Sequence, residues 1–171
     1  LIREGKIVAI KSMGSFQLIC DATNSSAISE LRKRKNIPDK PFPLMAYSLK
    51  EVKSFAKVND KESGLLSSNA RPIVLLKRRK GPLISDLVSP YIDTIGVMLP
   101  NTPVHFLILK ENFLSLVITE ASRGSDPSLT DNEKVVVKLK DLADYTLIHD
   151  RKIWNRCDDS IVRVIKNKIL M

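Results

Sequence analysis

Five cations fall between positions 32 and 40: Arg32, Lys33, Arg34 and Lys35 in a row, and Lys40 just beyond. Cations at this density bind phosphate, arginine as a planar fork and lysine as a mobile point charge. Arg32 and Lys33 read as a solvated surface. Lys35 and Lys40 flank a turn stiffened by Pro38, where both amines can converge on one anion such as a nucleotide triphosphate. A second basic run, Lys77-Arg78-Arg79-Lys80, reads as a solvated β-turn. Across the chain, 28 Lys+Arg outnumber 19 Asp+Glu, for a formal charge of +9. That excess favours nucleotide phosphates, nucleic acid or an acidic membrane face as partners.

Other chemistries are poorly supplied. No Gly-rich loop ends in Gly-Lys-Ser/Thr, and no dinucleotide fingerprint follows the first strand. His105 and His149 stand at no ligand-like spacing from Cys20 or Cys157, so no metal is expected from the protein alone. Cys20 lies inside a strand pattern and reads as a structural thiol. Cys157, between Arg156 and Asp158, reads as incidental to catalysis although its neighbours can lower a thiol pKa. Two cysteines exclude a disulfide framework and suit a reducing cytosol, so the expected location is cytoplasmic. No apolar run approaches the roughly 18 residues that cross a bilayer. The charged start, Leu1-Ile2-Arg3-Glu4, has no Met and reads as the start of a piece excised from a longer protein.

These residues need a scaffold, and the hydrophobic pattern predicts one. Strands are expected over 6–11 and 16–21, joined by the turn Ser12-Met13-Gly14-Ser15. Asn24 or Ser25 caps a helix with Ala27, Ile28 and Leu31 on one face and the basic run in its last turn, favourable against the helix dipole. Further strands are expected over 44–47, 72–76, 95–99, 114–119, 145–149 and 160–165. Helices are expected from Ser48 to about Val58, over 60–68, over 104–111 behind Pro103, and from Asp131 to about Leu142. Residues 82–92 read as one helical turn and a loop, and 120–128, with Gly124 and Pro127, as a loop. The 171 residues suffice for one ordinary domain with a real core. Irregular alternation of strands and helices gives an α/β (α+β) class with a mixed sheet.

Several stretches resemble the YrdC-like domain of HypF-type hydrogenase maturation proteins. They include Cys20-Asp21-Ala22, Arg34-Lys35-Asn36-Ile37-Pro38-Asp39-Lys40-Pro41-Phe42, Ala70-Arg71-Pro72-Ile73-Val74-Leu75-Leu76 and Gly96-Val97-Met98-Leu99-Pro100-Asn101-Thr102-Pro103-Val104-His105. Leu129-Thr130-Asp131-Asn132-Glu133, His149-Asp150-Arg151 and Arg156-Cys157-Asp158-Asp159-Ser160-Ile161-Val162-Arg163 follow in family order. The last is the most specific and separates HypF from stand-alone threonylcarbamoyl-adenylate synthases.

The resemblance implies a YrdC-like fold: a twisted mixed sheet flanked by helices, with a concave basic cavity. It implies a carbamoyltransferase chemistry in which a carbamate equivalent and ATP, with Mg²⁺, give carbamoyl-adenylate and pyrophosphate. It implies partners too: other domains of the parent chain and a maturation protein carrying an acceptor cysteine. By position, Lys35, Lys40, Thr119, Ser122, Asp159 and Ser160 would hold nucleotide and phosphate, and Lys11 and Ser15 would face the carbamoyl end.

The chain departs from the family pattern at several places. Ile37 stands where an arginine is usual, and Thr119-Glu120-Ala121-Ser122 where Thr-Ser-Gly-Asn is usual. Ser15 replaces a glycine and Gln17 a histidine. Ile37, Glu120 and Ser122 are expected to face the cavity and weaken turnover, since a carboxylate repels phosphate. Two other functions stay open: a nucleotide- or double-stranded-RNA-binding module without turnover, and a structural platform with a decayed site. Aromatic residues at 5% leave little for base stacking, so RNA would be held through shape and phosphate.

Overall fold

The computed structural model describes residues 1–110, 112–122 and 130–171. The expected loop beyond Ser122, with Gly124 and Pro127, lies outside the described residues, as do Glu111 and Leu129. The chain opens with a short 3-10 turn, Ile2–Glu4, and continues β1 (Val8–Lys11), β2 (Phe16–Asp21) and α1 (Ser25–Lys35). Then come β3 (Leu44–Met45), α2 (Leu49–Phe55), β4 (Ala56–Lys57), α3 (Asp60–Ser67) and β5 (Ile73–Arg78). After a 3-10 turn at Asp86–Val88 follow β6 (Thr94–Met98), α4 (Pro103–Leu109), β7 (Leu116–Glu120) and α5 (Asn132–Lys138). β8 (Tyr145–Leu147), β9 (Ile161–Ile165) and β10 (Lys168–Leu170) complete it.

All ten strands join one mixed sheet, ordered β10-β9-β5-β6-β3-β7-β2-β1-β8, with β4 alongside β5. β1 and β2 form an antiparallel hairpin, β2 pairs antiparallel with β7, and β1 pairs parallel with β8. Alternation along the strands divides two cores. Phe16, Leu18 and Cys20 of β2 join Ile28 and Leu31 of α1, Phe55 of α2, Leu66 of α3 and Val135 of α5. Ile19, between them, faces the other way with Ile10, Ile118 and Leu109 of α4. One face therefore carries four helices and the other carries α4. Fully burying a Leu31 or Ile28 side chain stabilises by about 1.5–3 kcal/mol, so α1 is fixed firmly to the sheet.

Caps set the helix starts where side-chain oxygens are available. Asn24 accepts from the Ala27 amide, Ser48 from Lys50, and Thr102 from His105. α2 ends earlier than its periodicity predicts, because Ala56 and Lys57 leave the helix to pair with Arg78 and Lys77 of β5. The same pairing corrects the second basic run. Lys77 and Arg78 are strand residues, and Arg78 donates to the Ile84 carbonyl and pairs with Asp86 at 2.9 Å. α5 is also shorter than expected, closing in a turn at Leu139.

Candidate functional site

The β1–β2 turn, the start of α4 and the segment leading into β9 enclose a cleft of about 770 Å³. Its tight turn is closed by the Ser12 amide donating to the Ser15 carbonyl at 2.9 Å. Gly14 is required there: a Cβ would stand 2.4 Å from the Cys157 carbonyl oxygen, so only a bare backbone lets the late segment cross the turn. Four of the expected site residues, Lys11, Ser15, Asp159 and Ser160, line this cleft. Lys11 is 3% exposed; its Nζ donates to the His149 carbonyl at 3.1 Å and lies 6.0 Å from the Phe16 ring centroid. The cations Lys11, Arg151 and Lys152 share the lining with the carboxylates Asp150, Asp158 and Asp159.

The other four expected residues stand at or behind the C-terminal end of β7, outside the cleft lining. Lys35, in the last turn of α1 and 6% exposed, donates to the carbonyls of Glu120 and Ser122, each at 2.6 Å. Burial brings its ammonium down to about pKa 8; Lys40 pushes the same way and Glu120 opposes it. Lys40 is exposed on the following turn, and Thr119 is half-buried opposite Leu18. Ser122 is 6% exposed and its hydroxyl reaches the Glu120 carboxylate at 3.4 Å. Glu120 joins the two groups: it pairs across the sheet with Gln17 of the cleft, and its carboxyl meets Asp158. Burial first, then Asp158, raises the Glu120 pKa.

Two expectations for this region change. Arg32 is not a solvated surface residue. It is 7% exposed, stacked 4.5 Å from the Phe42 ring centroid, and donates to the carbonyls of Ile37, Pro38, Lys40, Leu87 and Val88. A chain turning through two prolines exposes carbonyls that no strand satisfies, and the guanidinium gathers them. Lys33 is exposed, as expected. Ile37 packs against the larger core, so its side chain is held by apolar neighbours instead of facing phosphate.

The sequence assigns no site role to His105 or Asn101 and marks Gln17 only as a departure from the family pattern, yet His105 links the other two at the cleft lining. His105 is 2% exposed, its Nδ1 2.9 Å from Asn101 Oδ1 and its Nε2 3.2 Å from Gln17 Oε1. Gln17 and Asn101 in turn each donate to Asp159, both at 3.4 Å. Burial lowers the His105 pKa to about 4. Asp159 is raised, by burial and then by Asp158. The i, i+4 spacing of Asn101 and His105 across the Thr102 cap is the signal that could have drawn attention.

Neither thiol is hydrogen-bonded to this network, although Cys157 lines the same cleft. Cys20 is buried on β2 and pushed up to about 12 by burial and Asp21, which leaves it protonated. Cys157 is exposed, its sulfur 3.7 Å from the Asp158 carbonyl. Among the described residues, no three His, Cys, Asp or Glu side chains converge on a metal position. No helix among them is long and apolar enough to cross a membrane.

Comparison with known proteins places this arrangement. The profile of the family described as "Telomere recombination" (Sua5–YciO–YrdC) matches residues 1–171. Carbamoyltransferase HypF2 of Cupriavidus necator is 39% identical over 95% of this chain, and carbamoyltransferase HypF of Rhizobium leguminosarum bv. viciae 42% identical over 94%. The chain spans 22% of the length of either relative. Among solved structures, full-length HypF in its phosphate- and nucleotide-bound form superposes with a TM-score of 0.94 at 40% identity, covering 98% of this chain and 26% of that one. HypF of T. kodakarensis gives 0.93 at 42% identity, covering 98% and 22%. Sua5 of P. abyssi, in complex with L-threonine, gives 0.82 at 20% identity over 98% of this chain and 50% of that one, a likeness of fold.

Proposed function

The chain belongs to the Sua5–YciO–YrdC family, and from that premise we propose that it is a HypF-type domain forming carbamoyl-adenylate from ATP and a carbamate equivalent. The observation that carries this reading is the 37–42% identity to HypF proteins along nearly the whole chain, joined to a cleft of nucleotide size at the matching motifs. A carboxylate oxygen of carbamate attacks the α-phosphorus of ATP. The bond to the leaving oxygen breaks, and carbamoyl-adenylate and pyrophosphate result. Negative charge grows on the leaving pyrophosphate, and fixed cations and donors stabilise it without a covalent enzyme intermediate.

In this proposal Lys11 and Ser15 face the carbamoyl end, and Asp159 and Ser160 border the nucleotide. Lys35, Lys40, Thr119 and Ser122 take the phosphate side. Lys35 keeps one of its three N–H donors beyond the two given to carbonyls, and exposed Lys40 keeps its amine open. Mg²⁺ would enter with the nucleotide phosphates, and no protein ligand is assigned to it. Transfer of the carbamoyl group to an acceptor cysteine, for hydrogenase nickel–iron site maturation, would fall to other domains and to a partner protein.

A second reading, an RNA-binding module without turnover, draws on the +9 charge. Titration calorimetry with ATP·Mg²⁺ and with duplex RNA, each at two salt concentrations, separates the two. The adenylating reading expects saturable ATP binding, and RNA binding that fades as salt rises. RNA binding without saturable ATP binding would overturn it.

A further inference from the structure

Gln17, His105, Asn101 and Asp159 close a ring of four side chains. His105 touches both amides, and both amides touch Asp159. The four contacts run from 2.9 to 3.4 Å, which leaves no room for a water between any two members. Each contact needs one donor and one acceptor. An amide placed between two neighbours supplies one of each, whichever way it is flipped. Together the two amides therefore supply two donors and two acceptors for four contacts. The remaining ends, two on His105 and two on Asp159, must supply two donors and two acceptors.

A neutral imidazole gives one donor and one acceptor, and an ionised carboxylate gives two acceptors. That set is one donor short, and no rotation of either amide repairs it. One contact would then set acceptor against acceptor, and turning the Asn101 amide moves that mismatch away from the buried histidine to the exposed contact with Asp159 at 3.4 Å, where an unsatisfied polar pair remains as the cost. One added proton, on His105 or on Asp159, completes all four contacts.

We infer that this ring carries one shared proton at neutral pH, so that His105 and Asp159 together present no net negative charge to an anion in the cleft. His105 and the amides are positioning residues, acting through Asp159. Their surroundings favour the proton on the carboxyl side. His105 otherwise faces Ile10, Ile19, Met45 and Ile108, an apolar wall that disfavours an imidazolium. Asp159 faces the charge of Asp158, with Glu120 beyond it, while Lys11, Arg151, Lys152 and Asp150 line the same cleft. Burial and Asp158 both raise the Asp159 pKa, in keeping with that placement. With Asp159 neutral, the cleft cations Lys11, Arg151 and Lys152 meet two carboxylates instead of three. This extends the nucleotide reading only in naming the anion; the proton count stands apart from it.

The test uses the ligand-free protein. Its two histidines make imidazole nitrogen signals simple to assign, and the Asp159 carboxyl carbon is read in parallel. At pH 7 the expected result is either a doubly protonated His105 or a protonated Asp159. A neutral His105 beside an ionised Asp159 overturns the inference. Asp159→Asn gives a second, independent reading, because an amide at 159 completes the ring with no added proton. Above the ordinary histidine value near 6.5 the folded parent holds a proton that the unfolded chain has released. Its folded-to-unfolded ratio should therefore fall by up to tenfold per pH unit as the ring titrates, with that slope missing in the variant. Identical slopes in parent and variant would also overturn the inference. A protonated ring without ATP binding would defeat the proposed function alone, and ATP binding over a proton-free ring would defeat this inference alone.

Discussion

Lys35 and Lys11 are both nearly buried lysines near the same end of β2 and β7, yet the protein uses them differently. Lys35 gives two short bonds to backbone carbonyls at the end of β7 and, with Arg32 behind it, ties the prolyl turn to the sheet. Lys11 gives one longer bond, to the His149 carbonyl, and its ammonium borders an open cleft. The contrast teaches that a cluster of cations in sequence is not yet an anion site. What counts is how many donors remain after the backbone has taken its share.

The contrast can be broken most severely at Lys35. Lys35→Met removes the donor from one buried and one part-buried carbonyl and should lower stability by about 2–4 kcal/mol, measured by urea unfolding. A loss below about 0.5 kcal/mol would mean that the two bonds are dispensable. The pH dependence supplies a sign. The folded-state amine titrates near 8, below the roughly 10.4 of a free lysine. Between those values the unfolded chain binds more protons, so this residue's contribution to stability rises with pH there. That rise should vanish in Lys35→Met.

Lys11→Met should act in the opposite proportion. Loss of one charge-assisted contact to a bound phosphate or carboxylate costs about 1.5–3 kcal/mol of binding, or tenfold to about a hundredfold in ATP affinity. Stability should change less than for Lys35→Met, because Asn132 also donates to the His149 carbonyl. If calorimetry finds ATP affinity unchanged by Lys11→Met, the cleft is not where the nucleotide binds. A smaller effect is expected from Glu120→Ser combined with Ser122→Asn, which removes a carboxylate and supplies an amide. ATP affinity should improve by about 1 kcal/mol, the scale of one charge at about 4 Å in water-like surroundings. Ile37 is left alone here, since it packs against the core and an arginine would bring a charge against apolar neighbours.

Local signals carried much of the fold. The hydrophobic runs placed β1, β2, β6 and β9 to within about two residues, and Ser48 and the Asn24–Ser25 pair, of which Asn24 is the cap, marked the starts of α2 and α1. The failures came where partners distant in sequence decide the outcome. Ala56 and Lys57 continue a helical pattern and become strand only because β5 is there to pair with them. Arg32 looks like any solvated cation until carbonyls from 37–40 and 87–88 converge on it. The ring around His105 draws on positions as far apart as 17 and 159, and no local spacing encodes that meeting. The structure brings Lys11, Ser15, Asp159 and Ser160 into one cleft's lining and leaves Lys35, Lys40, Thr119 and Ser122 outside it, while the contacts of Gln17 emerged only from its neighbours.

The central claim is that this domain joins carbamate to AMP, and exchange of labelled pyrophosphate into ATP tests it most directly. The account predicts exchange that requires carbamate, is weakened in Lys11→Met, and is increased in the Glu120→Ser, Ser122→Asn variant. Carbamate-independent exchange, or none in either the parent or the double variant while both bind ATP, would contradict it.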